Sequence, residues 1–173
     1  MSVIRVAVLN HSADLRMVFN TDVDRSGVVH IVGNAINGDR LIALMLAIVL
    51  REHPKTTIVS DTHASMALIQ FITDRGGHHC LYRVGYRNVI DKGPQLNREG
   101  IETHLMMETM GHGALKENHF LDDGAYMVLK IIIEMVHMKL AGSKEGIDSL
   151  IKELEDPKES IELRISSSQR QHL

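Results

Sequence analysis

Apolar side chains recur along the chain with two different periods, and the switches between them divide it into strands and helices. Residues 15–19, Leu-Arg-Met-Val-Phe, alternate and are rich in strand formers, and residues 27–32 read as a second strand, so the pair brackets a loop at 20–26. Turn residues fill 33–38. From Asp39-Arg40 onward apolar residues face nearly every side of a helix over 41–50, a pattern that fits a largely buried helix stopped by Pro54. A short strand over 56–60 and an amphipathic helix over 65–75 follow, the helix ended by Gly76-Gly77. Residues 79–84 read as the next strand, 88–97 as a helix in spite of Gly93-Pro94, 103–107 as a strand and 123–140 as a long apolar helix with Gly142 behind it. Strands alternating with helices predict an α/β sandwich.

The last thirty residues change character. Between Ser143 and Leu163 there are seven acidic and three basic side chains, and Ile147, Leu150, Ile151 and Leu154 fall at helical spacing. The expectation is an amphipathic surface helix ended by Pro157, then a strand over 160–165 and an unstructured tail over 166–173.

Composition narrows the class. The chain has 173 residues, Lys+Arg 19 against Asp+Glu 22, a formal charge of −3, 44% apolar residues and 3% aromatic. That length holds one ordinary domain, or one and a fraction. The longest greasy run stops at Arg51-Glu52-His53, too short to cross a bilayer, so no membrane span is expected. Near-balanced charge and few aromatic rings argue against nucleic acid as a partner. A single cysteine, Cys80, excludes a disulfide framework. The first residues lack a secretory pattern, so the expected compartment is the cytoplasm, and an organelle-targeted longer form is compatible with that.

Three polar clusters follow strands. Asn20-Thr21-Asp22-Val23-Asp24-Arg25 puts oxygen ligands at alternate positions of a tight loop, the way a protein gathers oxygens around a hard cation, with magnesium the better candidate. A polar hairpin whose Asn and Asp cap the turn fits the same spacing. Glu108-Thr109-Met110-Gly111-His112-Gly113 places a carboxylate and an imidazole between glycines, where loops of a parallel sheet bind ligands, although a solvated turn reads the same way. Arg83-Val84-Gly85-Tyr86-Arg87 sets two cations beside a glycine turn, suited to an anion or simply to water. Eleven histidines invite zinc, but His78-His79-Cys80 are neighbours on a strand and face opposite ways.

Taken in this order, the three loops resemble the α-D-phosphohexomutases, the phosphoglucomutases and phosphomannomutases. That family carries an Asp-x-Asp-x-Asp-Arg metal loop, a Gly-aromatic or Gly-His turn with basic neighbours, and a Glu-x-Ser-Gly-His sugar loop. Here they stand as residues 20–25, as Gly85-Tyr86-Arg87 and as residues 108–112. Ala13-Asp14-Leu15, Arg87-Asn88-Val89-Ile90-Asp91 and the stretch from Gly113 to Tyr126 match as well.

The resemblance implies an αβα sandwich with a mixed, largely parallel sheet. Residues 1–34 would be the end of the family's second domain and 35–165 its third. It implies Mg²⁺ held by Asn20, Asp22 and Asp24, with Arg25 as a charge stabiliser, and a hexose phosphate met by Glu108, His112, Gly85, Tyr86 and Arg87. The family's phosphoserine domain and its phosphate-gripping domain have no counterpart in these residues, and Ser65 reads as a helix cap rather than as that serine. Two departures matter. Asn20 stands where the family has Asp, which removes a charge from the metal site, and Met110 replaces the serine of the sugar loop. The chain is therefore expected to be a partial mutase, inactive alone, with a full-length relative as a possible partner. The alternative is a non-catalytic module that binds a sugar phosphate or a metal.

Overall fold

In a computed structural model, which describes residues 13–30 and 34–156, a four-stranded sheet is covered on both faces and a small three-stranded sheet leans on one side. The small sheet is β1 (Leu15–Phe19), β2 (Ser26–His30) and β3 (Ala35–Ile36), all antiparallel neighbours. The main sheet is built from β4 (Thr57–Asp61), β5 (His78–Tyr82), β6 (Thr103–Met107) and β7 (Gly113–Leu115), in the order β5-β4-β6-β7. β4 runs parallel to both β5 and β6, and β7 returns antiparallel to β6, so the sheet is mixed and largely parallel as expected.

Successive side chains of a strand point to opposite faces, and the core divides accordingly. Ile58, Leu105 and Met107 join one cluster with Leu44, Leu46 and Ile48 of α1 (Asp39–Glu52), Leu68 and Ile72 of α2 (Met66–Asp74), and Met127 and Ile131 of α4 (Gly124–Leu140). Val59 and Met106 face the other way, against Val89, Ile90 and Leu96 of α3 (Tyr86–Arg98). α3 runs through Gly93-Pro94, and Gly93 lies on Met106, whose sulfur would be 2.2 Å from any Cβ there. α1 is apolar all round because α2, α4 and the 3-10 turn at Ile147–Ile151 cover what the sheet does not. Its polar end is tied to α4 by Arg51 on the buried Glu134, and by Lys130 on Glu52 at 2.6 Å, with Glu117 3.0 Å from the same amine.

Three expectations change. β3 and β7 are short strands within stretches read as turn or loop, and two or three residues are too few to show a period. The acidic segment is not an amphipathic α-helix. Ile147–Ile151 is a 3-10 turn whose Ile147 and Ile151 are buried against the core, and hydrogen bonds Ser149 N to Gly146 O and Leu154 N to Ile151 O keep the three-residue repeat. β2 is described only to His30, and the strand expected at 160–165, Pro157 and the tail lie outside the described residues. Among the described residues no helix is long and apolar enough to cross a membrane.

Two imidazoles, the buried His104 and the half-buried His79, carry a pH dependence. His104 on β6 stacks on His53, just beyond α1, with ring centroids 3.7 Å apart, and its Nδ1 meets Thr56 Oγ1 at 2.9 Å. Burial, with His53 and Lys116 nearby, lowers the His104 pKa below the ordinary 6.5. Burial also lowers that of His79, whose Nε2 is 2.8 Å from Ser60 Oγ. The folded chain thus takes up fewer protons than the unfolded chain, so this stability is complete above pH 6.5 and declines as pH falls below it. Thermal melting followed from about pH 8 down to about pH 5 should show Tm falling in the acid half, and His104→Asn should make that fall shallower. An equal fall in the variant would assign the effect to other groups.

Candidate functional site

β4, β5 and β6 are parallel, so the chain leaves all three at one edge of the sheet, and the loops that follow them meet there. The β1–β2 hairpin brings a fourth loop to the same place, where Ser26 N–H donates to Gly111 O at 3.3 Å.

The hairpin loop is closed by its own first residue. Asn20 Oδ1 accepts the Arg25 N–H at 3.0 Å, Asn20 O accepts the Val23 N–H at 3.2 Å, and Asn20 Nδ2 donates to Asp24 Oδ1 at 2.5 Å. Val23 turns the chain with φ +62°, an unfavourable angle for a β-branched residue. The crest is seated on the start of α4, where Gly124 N–H donates to Val23 O at 3.1 Å. A Cβ at Gly124 would come within 2.9 Å of Val23 O and of the Arg25 carbonyl carbon, so glycine is required there.

After β5 the chain turns at Gly85, with φ +114°, and enters α3 at Tyr86. Gly85 N–H donates to Glu108 Oε1 at 3.1 Å, which fastens this turn to the loop after β6 and satisfies a carboxylate that is almost fully buried. That loop closes on itself through Glu108 N–H to His112 O at 2.8 Å and Gly111 N–H to Glu108 O at 2.9 Å. Tyr86 stacks on the His112 ring, with centroids 4.6 Å apart. His112 Nδ1 lies 2.7 Å from Asp122 Oδ2 and 3.8 Å from Asp24 Oδ2, and Asp122 Oδ1 accepts the Gly113 N–H at 3.2 Å.

Asp24, His112 and Asp122 therefore form an acidic and imidazole cluster whose ligand atoms all lie within 4.8 Å of one another, close enough to hold a metal ion. The Asn20 amide holds the Asp24 carboxyl below its usual range, with His112 and Arg25 adding to the effect. Burial pushes the Asp122 carboxyl up, against the hydrogen bond from His112. Two neighbouring carboxylates thus stand in opposite electrostatic settings around one imidazole.

The structure brings together Asp24, Arg25, Gly85, Tyr86, Glu108 and His112 from three separated stretches of sequence. It leaves Asp22 exposed on the loop crest. Arg87 is exposed too, its Nε donating to Tyr86 Oη at 3.3 Å, and Met110 is exposed at the tip of its loop. Ser65 caps α2, its Oγ accepting the Leu68 N–H at 3.2 Å. Sequence reasoning missed Asp122 as a member of the site. The signal was the pair Asp122-Asp123 before a helix, since one of them, Asp123, caps α4 through Tyr126 N–H and leaves the other free. It also missed Asp61, an acid at the carboxyl end of the central strand.

Residues 37–155 match the family model described as phosphoglucomutase/phosphomannomutase, alpha/beta/alpha domain III. Among curated proteins the chain is 29% identical over 152 residues to a phosphomannomutase/phosphoglucomutase of Pseudomonas syringae, covering 87% of this chain and 31% of that protein. It is 32% identical over 136 residues to a phosphoglucosamine mutase of Buchnera aphidicola, covering 77% and 30%. Among solved structures, a phosphoglucomutase/phosphomannomutase family protein from Burkholderia thailandensis superposes with a TM-score of 0.74 at 25% identity, covering 90% of this chain and 32% of that one. The chain spans about a third of the length of these relatives.

The Asp122–His112 contact should hold the cluster in place. Asp122→Ala leaves the Gly113 N–H and the His112 Nδ1 without their carboxylate, and it should cost about 1–3 kcal/mol of unfolding free energy. Urea denaturation measures this, and an unchanged midpoint and slope would show the contact to be without consequence for stability.

Proposed function

Because the chain belongs to the phosphoglucomutase/phosphomannomutase family, we propose that it supplies the sugar-binding and metal-loop part of a hexose-phosphate mutase, an isomerase that works by intramolecular phosphoryl transfer. The observation that carries this reading is the convergence of the three loops on His112, which touches Tyr86 of the basic turn, Asp24 of the hairpin loop and Asp122. In this reading residues 1–34 are the end of a second domain and 35–165 a third domain, acting in hexose-phosphate metabolism in the cytoplasm. Glu108 accepts hydrogen bonds from sugar hydroxyls with the oxygen that Gly85 leaves free. His112, held by Asp122 and Tyr86, presents its other ring nitrogen to the sugar. Arg25 and Arg87 offset the charge of the phosphate, and Gly85 and Tyr86 shape the turn that faces it.

The donor chemistry of the hairpin loop suits a hard cation, since Asn20, Asp22 and Asp24 all offer oxygens. Two of them are already engaged: Asn20 Oδ1 accepts the Arg25 N–H, and a cation at Asp24 competes with the Asn20 amide for Oδ1. Magnesium bound there would offset negative charge on a phosphoryl group in transfer. The chain's own part is to orient the sugar beneath that group.

Taken alone, these residues are proposed to bind hexose phosphate without turning it over, because Ser65 Oγ is engaged as a cap and is not a phosphoryl carrier. A full-length relative would be the natural partner. Calorimetric titration with glucose 1-phosphate or mannose 1-phosphate should give saturable heat, weakened about tenfold or more by Glu108→Ala. A coupled assay with magnesium and a bisphosphorylated primer should give no turnover. Absence of heat at millimolar ligand would overturn the binding claim, and robust turnover the claim of inactivity.

The metal loop has its own test. Asn20→Asp should lower Tm in the absence of magnesium, because it sets a carboxylate against Asp24. It should also tighten magnesium binding about tenfold or more, with added magnesium restoring Tm. Equal magnesium affinity in the two proteins would show that the Asn20 amide does not obstruct the ion.

A further inference from the structure

Asp61 ends β4, the strand that lies between β5 and β6, and its side chain is fully buried. A carboxylate there is costly unless donors surround it, and three converge on it. Thr109 N–H donates to Oδ1 at 3.2 Å, the Thr109 hydroxyl donates to Oδ2 at 3.0 Å, and His63 Nδ1 lies 2.9 Å from Oδ2. Two of these donors belong to one residue, so Asp61 fixes both the backbone and the side-chain rotamer of Thr109.

Thr109 sits between Glu108 and the exposed Met110, in the loop closed by the Glu108–His112 and Gly111–Glu108 backbone bonds. Other contacts hold the flanks of that loop: Gly85 on the Glu108 side chain, Ser26 on the Gly111 carbonyl, and Asp122 on His112 and Gly113. Asp61 ties the crest to the neighbouring strand of the sheet. Loss of that tie would let the 108–112 loop rotate about its flanks while the sheet beneath stayed intact.

Building on the reading of residues 108–112 as the sugar-binding loop, we propose that Asp61 is a positioning residue of the site, which sets the aim of Glu108 and His112 by holding Thr109 through two hydrogen bonds. Buried as it is, it acts through Thr109 and not by touching the sugar.

Amide hydrogen exchange on the whole chain tests this with Asp61→Asn, Thr109→Val and Thr109→Ser. Asp61→Asn and Thr109→Val should raise exchange of the amides of residues 109–113 by about tenfold or more while protection in α1 and α4 stays as in the parent. Thr109→Ser, which keeps the hydroxyl, should return exchange to the parent rate. The same two variants should weaken glucose 1-phosphate binding about tenfold, and Thr109→Ser should restore it. Unchanged exchange at 109–113 in Thr109→Val overturns the proposal. So does a rise spread equally over α1 and α4, which would make Asp61 a general stabiliser. Should Asp61→Asn fail to fold, Thr109→Val decides alone. If the parent chain binds no sugar phosphate, the reading of the loop fails, while the exchange pattern still decides whether Asp61 positions it.

Discussion

Everything at the site depends on one constraint, the burial of β4 between two parallel neighbours. All five of its residues are buried, and with β5 on one side and β6 on the other both of its hydrogen-bonding edges are used. Parallel pairing forces the chain to leave each of these strands at the same edge and to return through a crossover. Helices α2 and α3 serve as crossovers, and they cover opposite faces of the sheet. The polar loops at residues 61–65, 83–87 and 108–112 are thereby brought together by backbone geometry before any side chain contributes. Side-chain contacts such as Gly85 to Glu108 and Thr109 to Asp61 then lock an arrangement that the sheet has already made.

The electrostatics follow from the same crowding. Glu108, Asp24, Asp61 and Asp122 would repel one another if each were left bare at one edge of a sheet. Each is instead given a donor, from another loop for Glu108 (Gly85), Asp61 (Thr109) and Asp122 (His112 and Gly113), and from its own loop for Asp24 (Asn20) and for the second partner of Asp61 (His63). The loops are thus cross-linked by the groups that make them acidic. A buried carboxylate with several donors is stable where a single unpaired one is not.

Much of this was legible in the sequence, for identifiable reasons. β1, β4, β6, α1 and α4 show long, regular patterns, and the α/β class follows from their alternation. Glu108 and His112 stand out as polar residues between glycines just after a strand. What stayed hidden was of two kinds. β3 and β7 are too short for a period to register, and the spacing of Ile147, Ile151 and Leu154 fits a 3-10 turn packed on the core as well as it fits a surface helix. Asp61, Asp122 and Gly124 were hidden for another reason: their significance lies in partners 48, 10 and 101 positions away, at Thr109, His112 and Val23. No local pattern encodes such a partner.

The hairpin Leu15–Phe19 and Ser26–His30 precedes the residues that match the family model, yet its loop is fastened inside them, through Val23 to Gly124 and Ser26 to Gly111. The line at which the match to the domain III model begins is therefore not a seam in the molecule. Substitutions on the two sides of that line are coupled, because a larger residue at 124 alters the loop that carries Asp24 and a reshaped loop alters what position 124 can accept. Lineages that exchanged the hairpin by recombination would have to exchange the start of α4 with it.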